Sequence, residues 1–198
     1  SPPGPMPTPA RCIKRHAARL GRALYAAGLA ALVALLLAVR GDVYAPGRAQ
    51  SGQWRTPAGT LALELAPGGG FAVLQGGETL FAAEPGWRVR GFLTGDLDAD
   101  GRDELLLLVW RRGHYGPSRP FWVPQNDWRY SQHIFIYTCD AAGAVAPLWM
   151  SSGLDPQVRR WAMNADGTLS VTTPAGQDTR WGWRSWGLER LDAPPVRL

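Results

Sequence analysis

Residues 96–104 read Asp96-Leu97-Asp98-Ala99-Asp100-Gly101-Arg102-Asp103-Glu104, and the apolar run Leu105-Leu106-Leu107-Leu108-Val109-Trp110 follows directly. Carboxylates at alternate positions, a glycine and a closing acid suit a short loop wrapped around a hard cation. Calcium takes six to eight oxygen ligands, supplied by carboxylates and backbone carbonyls. The spacing assigns Asp96, Asp98 and Asp100 as side-chain ligands, Arg102 as a carbonyl donor and Glu104 as the closing carboxylate. Without a cation, these acids would repel one another within one turn. The bare alternative is an Asp/Gly-rich hairpin with no metal. The run after the loop is short, apolar and ends in Trp, so it reads as a buried strand.

Short apolar runs separated by turn signals continue through the rest of the chain. Leu61–Leu65, Phe71–Gln75 and Glu78–Ala82 read as strands, with Gly76-Gly77 as a hairpin dipeptide. Trp87–Leu93 leads into the acidic loop. Gln132–Thr138, Pro147–Met150, Val158–Met163, Thr168–Thr173, Thr179–Trp183 and Trp186–Leu191 complete the set. No stretch after residue 50 carries a helical period, so the expected class is all-β. Ten Trp and 24 Gly agree with a loop-rich β protein anchored by large aromatics.

A trace of an internal repeat is present. Asn164-Ala165-Asp166-Gly167 aligns with Asp98-Ala99-Asp100-Gly101, and a strand follows both. In the second copy Ala162 replaces the first ligand and Ser170 the closing acid, so no metal is expected there.

The acidic loop is not a helix-loop-helix calcium site, which places its bidentate Glu at loop position twelve; Leu107 stands there. A closing acid at position nine, followed at once by a strand, resembles the calcium loops of integrin-type FG-GAP and VCBS repeats. The order acidic loop, strand, Gly-Pro-Ser-Arg-Pro-Phe-Trp is similar to small membrane-anchored bacterial proteins with a single such repeat. This resemblance covers roughly residues 87–155. It implies a calcium loop joining two strands of a propeller blade. The expected fold is therefore a small or incomplete β-propeller-like domain. About 145 residues make roughly three four-stranded blades, and closed propellers have at least four. A β-sandwich variant and one part of an oligomeric ring are the other readings.

The N-terminal region differs in character. Residues 1–22 are Pro-rich and then basic, with Arg11, Lys14, Arg15, Arg19 and Arg22 and no acid, and read as a disordered tail. Ala23–Val39 is an uncharged apolar run of 17 residues, near the lower limit for a membrane-spanning helix. The basic flank predicts a signal anchor with its N-terminus inside. Secretion after signal-peptide cleavage is the alternative. Residues 40–53 read as a linker, and 54–198 as the extracytoplasmic β domain. Cys12 and Cys139, the two cysteines, would lie on opposite sides of the membrane, so no internal disulfide is expected.

Segment 111–132 is a long connection after the strand, and such segments are often functional. Its Tyr115, Arg119, Phe121, Trp122, Asn126 and Trp128 combine aromatic faces with planar polar groups suited to a glycan or a peptide. Covering the core is its plainer role. The Arg180–Gly187 run of Trp and Arg reads as a closing β core rather than a nucleic-acid platform. No Gly-x-Ser-x-Gly, His-Glu-x-x-His or phosphate loop occurs. His133 reads as a structural hydrogen-bonding residue. The sequence therefore favours a non-catalytic, membrane-anchored calcium-binding recognition or adhesion module. A hydrolase of extracellular polymers acting through 111–132, or a scaffold subunit of a membrane complex, are the alternatives.

Overall fold

The computed structural model of the chain describes residues 25–33, 47–113 and 127–192. The chain divides into two compact units, Ser1–Ala45 and Pro46–Leu198. In the first, residues 25–33 are helical. No helix among the described residues is long and apolar enough to cross a membrane. The described residues thus give no support to the spanning helix expected over 23–39; its positions 23, 24 and 34–39 lie outside them, as do Cys12 and the basic tail.

The second unit is all-β, as the alternating runs require. Its strands are β1 (Gln50–Thr56), β2 (Gly59–Leu65), β3 (Phe71–Gln75), β4 (Glu78–Ala82), β5 (Arg88–Gly95), β6 (Glu104–Gly113), β7 (Asp127–Cys139), β8 (Val145–Met150), β9 (Arg160–Met163), β10 (Leu169–Thr172), β11 (Asp178–Arg184) and β12 (Gly187–Arg190). They form three four-stranded antiparallel sheets, each a meander in chain order: β1 to β4, β5 to β8 and β9 to β12. Among the described residues no sheet closes into a barrel.

Leu105–Trp110 is apolar at every position because the middle sheet is covered on both faces. Leu105, Leu107, Val109, Phe135, Tyr137 and Cys139 face a core shared with Trp54, Leu61, Leu63, Leu65, Phe71 and Val73 of the first sheet. Leu106, Leu108, Ile134 and Ile136 face a second core shared with Leu169 and Val171 and flanked by Trp161, Trp181 and Trp183. Leu107 is fully buried, and Leu107→Ala would cost about 2–5 kcal/mol through lost contacts and a cavity.

The two outer sheets alternate instead. Gln53, Arg55, Thr60 and Glu64 in the first, and Arg160, Arg180, Arg184 and Glu189 in the third, are exposed. Polar residues thus face outward from both outer sheets. The first strand of each sheet lies nearest its counterpart: β1 approaches β5, and β5 approaches β9. A Cβ at Gly52 would stand 2.8 Å from the Phe92 ring, and one at Gly95 2.9 Å from Met163; glycine is what lets these strands come so close.

Two boundaries depart from expectation. β1 begins at Gln50, inside the segment read as a linker. The connection read as 111–132 is shorter: β6 continues to Gly113 and β7 starts at Asp127, with Arg111 opposite Ser131 and Arg112 opposite Tyr130. Cation–π contact supports that extension, the Arg112 guanidinium lying 4.8 Å from the Tyr130 ring centre.

Candidate metal centre

The acidic loop joins β5 to β6, with Gly95 the last residue of one strand and Glu104 the first of the next. Leu97 is anchored in the second core. That anchor fixes the residues on either side of it. Backbone N–H groups then fold onto the carboxylates: Asp96 Oδ1 accepts from Asp100 N (3.1 Å) and Oδ2 from Gly101 N (3.0 Å). Asp98 Oδ1 accepts from Asp100 N at 3.2 Å, and Glu104 Oε2 from Leu97 N at 2.8 Å. Ala99 adopts a φ of 62° to make the turn.

The result is one oxygen each from Asp96, Asp98 and Glu104, all within 4.8 Å of one another. This triad could hold a metal ion. Glu104 is only 2% exposed. Burial, and the negative charges of Asp98, Asp100 and Asp96, push its carboxyl up to about 7, against the lowering effect of the Leu97 N–H. A cation in the triad would reverse that cost by supplying opposite charge.

The other two expected ligands stand differently. The structure does not bring Asp100 into the cluster. Its Oδ1 accepts from Arg102 N at 2.9 Å and its Oδ2 lies 3.9 Å from Arg102 Nε, both side chains being largely exposed. Asp100 helps to shape the turn through this local ring, as Asp98 does through its own bond to Asp100 N. Arg102 contacts the same carboxylate through both its N–H and its guanidinium.

The loop is also fastened to both neighbouring sheets, which the spacing of the acids did not reveal. Trp54 Nε1 of β1 donates to the Asp103 carbonyl at 2.6 Å, and Arg55 Nε to the Asp103 carboxylate at 3.1 Å. On the other side Gly167, at φ +75°, presses on the Asp96 carbonyl so closely that a Cβ would lie 2.8 Å away. Gly167 belongs to the turn between β9 and β10, the counterpart of the acidic loop in the third sheet.

That counterpart is held by other means. Asn164 Nδ2 donates to Thr168 Oγ1 (2.9 Å) and Ser170 Oγ (3.0 Å), and Ser170 Oγ is 3.1 Å from Asn164 Oδ1. Asp166 takes the Thr168 hydroxyl at 2.6 Å and its N–H at 3.2 Å, and pairs with the Arg180 guanidinium. These contacts hold the Asp166 carboxyl below its usual range, Thr168 contributing most.

His133 is buried in β7. Its Nδ1 lies 3.0 Å from the Ser151 carbonyl and its Nε2 2.8 Å from Ser131 Oγ. Burial lowers its pKa below the ordinary histidine value, so the neutral ring donates through Nδ1 and accepts through Nε2. Together with Ser151 Oγ on Ile134 N (2.9 Å) and Leu154 N on Gln132 O (2.8 Å), it ties segment 151–154 to β7. Tyr115, Arg119, Phe121, Trp122 and Asn126 lie outside the described residues, as does the Trp128 side chain.

Comparison with known proteins gives no match to a family model, to a curated protein or to a solved structure.

Proposed function

We propose that loop 96–104 binds calcium and that the β domain is a calcium-stabilised, propeller-like recognition module of the FG-GAP/VCBS type, held outside the cell membrane by the 23–39 segment. The observation that carries the metal reading is the convergence of one carboxylate oxygen each from Asp96, Asp98 and the buried Glu104. Two ligands on opposite sides of one calcium are about 4.8 Å apart, since each bond is about 2.4 Å. Oxygens already within 4.8 Å of one another can therefore share a calcium ion. Magnesium, at about 2.1 Å per bond, demands strict octahedral geometry and dehydrates reluctantly, whereas calcium accepts a flexible all-oxygen loop.

The blade reading is supported by the three sequential meanders, the close approach of their first strands, and the related loops in the first hairpin of sheets two and three. The residues give calcium a structural task. Asp103 and Asp96 connect the loop to the first and third sheets, so a cation there would stiffen the junction of all three. A rigid stack pre-organises the connections at its other end for a ligand at lower entropic cost. The 111–132 region is the proposed contact surface, for a glycan or a protein.

The test is a calcium titration of the full chain followed by exposure to extracellular glycans, with product analysis. The proposal expects saturable metal binding and a ligand recovered intact. Cleaved ligand, or no metal binding at millimolar calcium, would contradict it.

A further inference from the structure

The middle sheet is polarised in charge along its strands. Its acids gather at the loop end, in 96–104, and Asp127, the first residue of β7, is the one acid of its strands at the opposite end. At the opposite end stand Arg88 and Arg90 of β5, Arg111 and Arg112 of β6 and Arg129 of β7. Glu104 and Arg111 are seven residues apart on one strand, about 23 Å. We propose that this arginine end is a binding site for an acidic polysaccharide, its guanidinium groups pairing with repeated carboxylates.

The side chains are arranged for it. Tyr130 carries two guanidinium groups, Arg88 at 5.0 Å and Arg112 at 4.8 Å from its ring centre. Such stacking fixes the planar forks that match carboxylates bidentately. Arg112 is exposed, and neither it nor Arg111 joins an ion pair among the described residues. Arg111 stacks on Phe135 at 5.5 Å, and its Nε is buried without a hydrogen-bond partner among the described residues. A desolvated donor of this kind is costly until an acceptor arrives.

Two other polyanions fit less well. A bilayer surface would be met by exposed apolar side chains as well as charge, and no large hydrophobic residue of β5, β6 or β7 is exposed among those described. Single-stranded nucleic acid needs open aromatic faces, and among the described residues at this end the Tyr130 ring is already engaged by guanidinium groups.

This inference names a ligand class for the recognition reading and rests on it, but not on the metal. The experiment is affinity electrophoresis of the full chain through gels containing polygalacturonate, with neutral dextran, duplex DNA and phosphatidylglycerol vesicles as comparison probes, in calcium and in EDTA. Retardation by polygalacturonate that fades with added NaCl is expected, since exposed charges are screened. Arg112→Gln should weaken it by about two- to fivefold, the range of an exposed ion pair, and Arg112→Lys by less. Arg55→Gln, at the acidic end, should leave it unchanged. Arg111→Gln should weaken it too, and a tryptophan-fluorescence melt checks that each variant is folded; Arg112 is exposed and carries the test if the Arg111 variant is not. No retardation at low salt, equal retardation of the Arg112→Gln and parent proteins, or equal affinity for DNA or vesicles would overturn the proposal. A chain that responds to calcium yet ignores polygalacturonate would sink this inference alone, and the reverse result would sink the metal reading alone.

Discussion

Two loops occupy the same place in successive sheets and solve the same turn with different chemistry. Both enter from the first strand of their sheet, both run Asp/Asn-Ala-Asp-Gly, and both use the second Asp to catch an N–H two residues on. In the β5–β6 loop the interior positions are filled by carboxylates: Asp98 faces the buried Glu104, with Asp96 beside them. In the β9–β10 loop the equivalents of Asp98 and Glu104 are Asn164 and Ser170, which hydrogen-bond to each other. One loop concentrates like charge and leaves a place for a cation; the other is neutral inside and complete without one. Its remaining acid, Asp166, is answered by Arg180. The lesson is that the turn is set by the Asp-Gly backbone, while the capacity to hold a metal is set by which side chains fill the interior.

The largest effect should come from neutralising the interior of the first loop. Burial and the neighbouring carboxylates let folded Glu104 keep its proton up to about 7, against an ordinary value of 4.5. This group's contribution to metal-free stability is therefore fully present below about 4.5 and is lost as pH rises through 7, by up to about 3 kcal/mol. Glu104→Gln is neutral at every pH. In EDTA at pH 8 it should be more stable than the parent, with a flatter pH profile and no calcium response. Denaturant unfolding at several pH values measures this, and a destabilised variant in EDTA would break the contrast.

A smaller effect is expected in the second loop. Asn164→Ala removes both Nδ2 donors and should cost about 1–2 kcal/mol, identically in calcium and in EDTA. A calcium-dependent difference in its urea midpoint would mean that the two loops are not chemically separate. Trp54→Phe keeps most of the buried ring but loses the bond to the Asp103 carbonyl. It should cost about 1 kcal/mol and also weaken calcium binding, because the loop loses its tie to the first sheet; calorimetric titration would read both. Arg180→Ala should matter least, since its pair with Asp166 is exposed. A thermal melt should register a slight change, smaller again at high salt.

The acidic loop and the strand after it were legible because alternate carboxylates and a continuous apolar run are both local signals. Most strands were legible through alternation against a single core. β1 was not: in Gln50–Thr56 only Trp54 is buried, because the strand lies at the edge of its sheet and has little apolar pattern to show. The ends of β6 and β7 were hidden because arginines and polar residues there are paired across the ladder, not in a core. Asp100 carried the same sequence signal as Asp96 and Asp98, and its place outside the cluster is a matter of loop geometry that the spacing does not show. The roles of Arg180 and Gly167 depend on sheet register and on contact between sheets, so no sequence neighbour announces them.

The most direct test of the central contrast is a thermal melt of the full chain in EDTA and across a calcium titration, run in parallel on the parent and on Asp98→Ala. The account predicts a saturable rise in melting temperature with calcium for the parent. It predicts a lower melting temperature in calcium and no calcium dependence for Asp98→Ala. A parent that is well folded in EDTA and unmoved by calcium, or an Asp98→Ala protein that melts like the parent in both conditions, would contradict it.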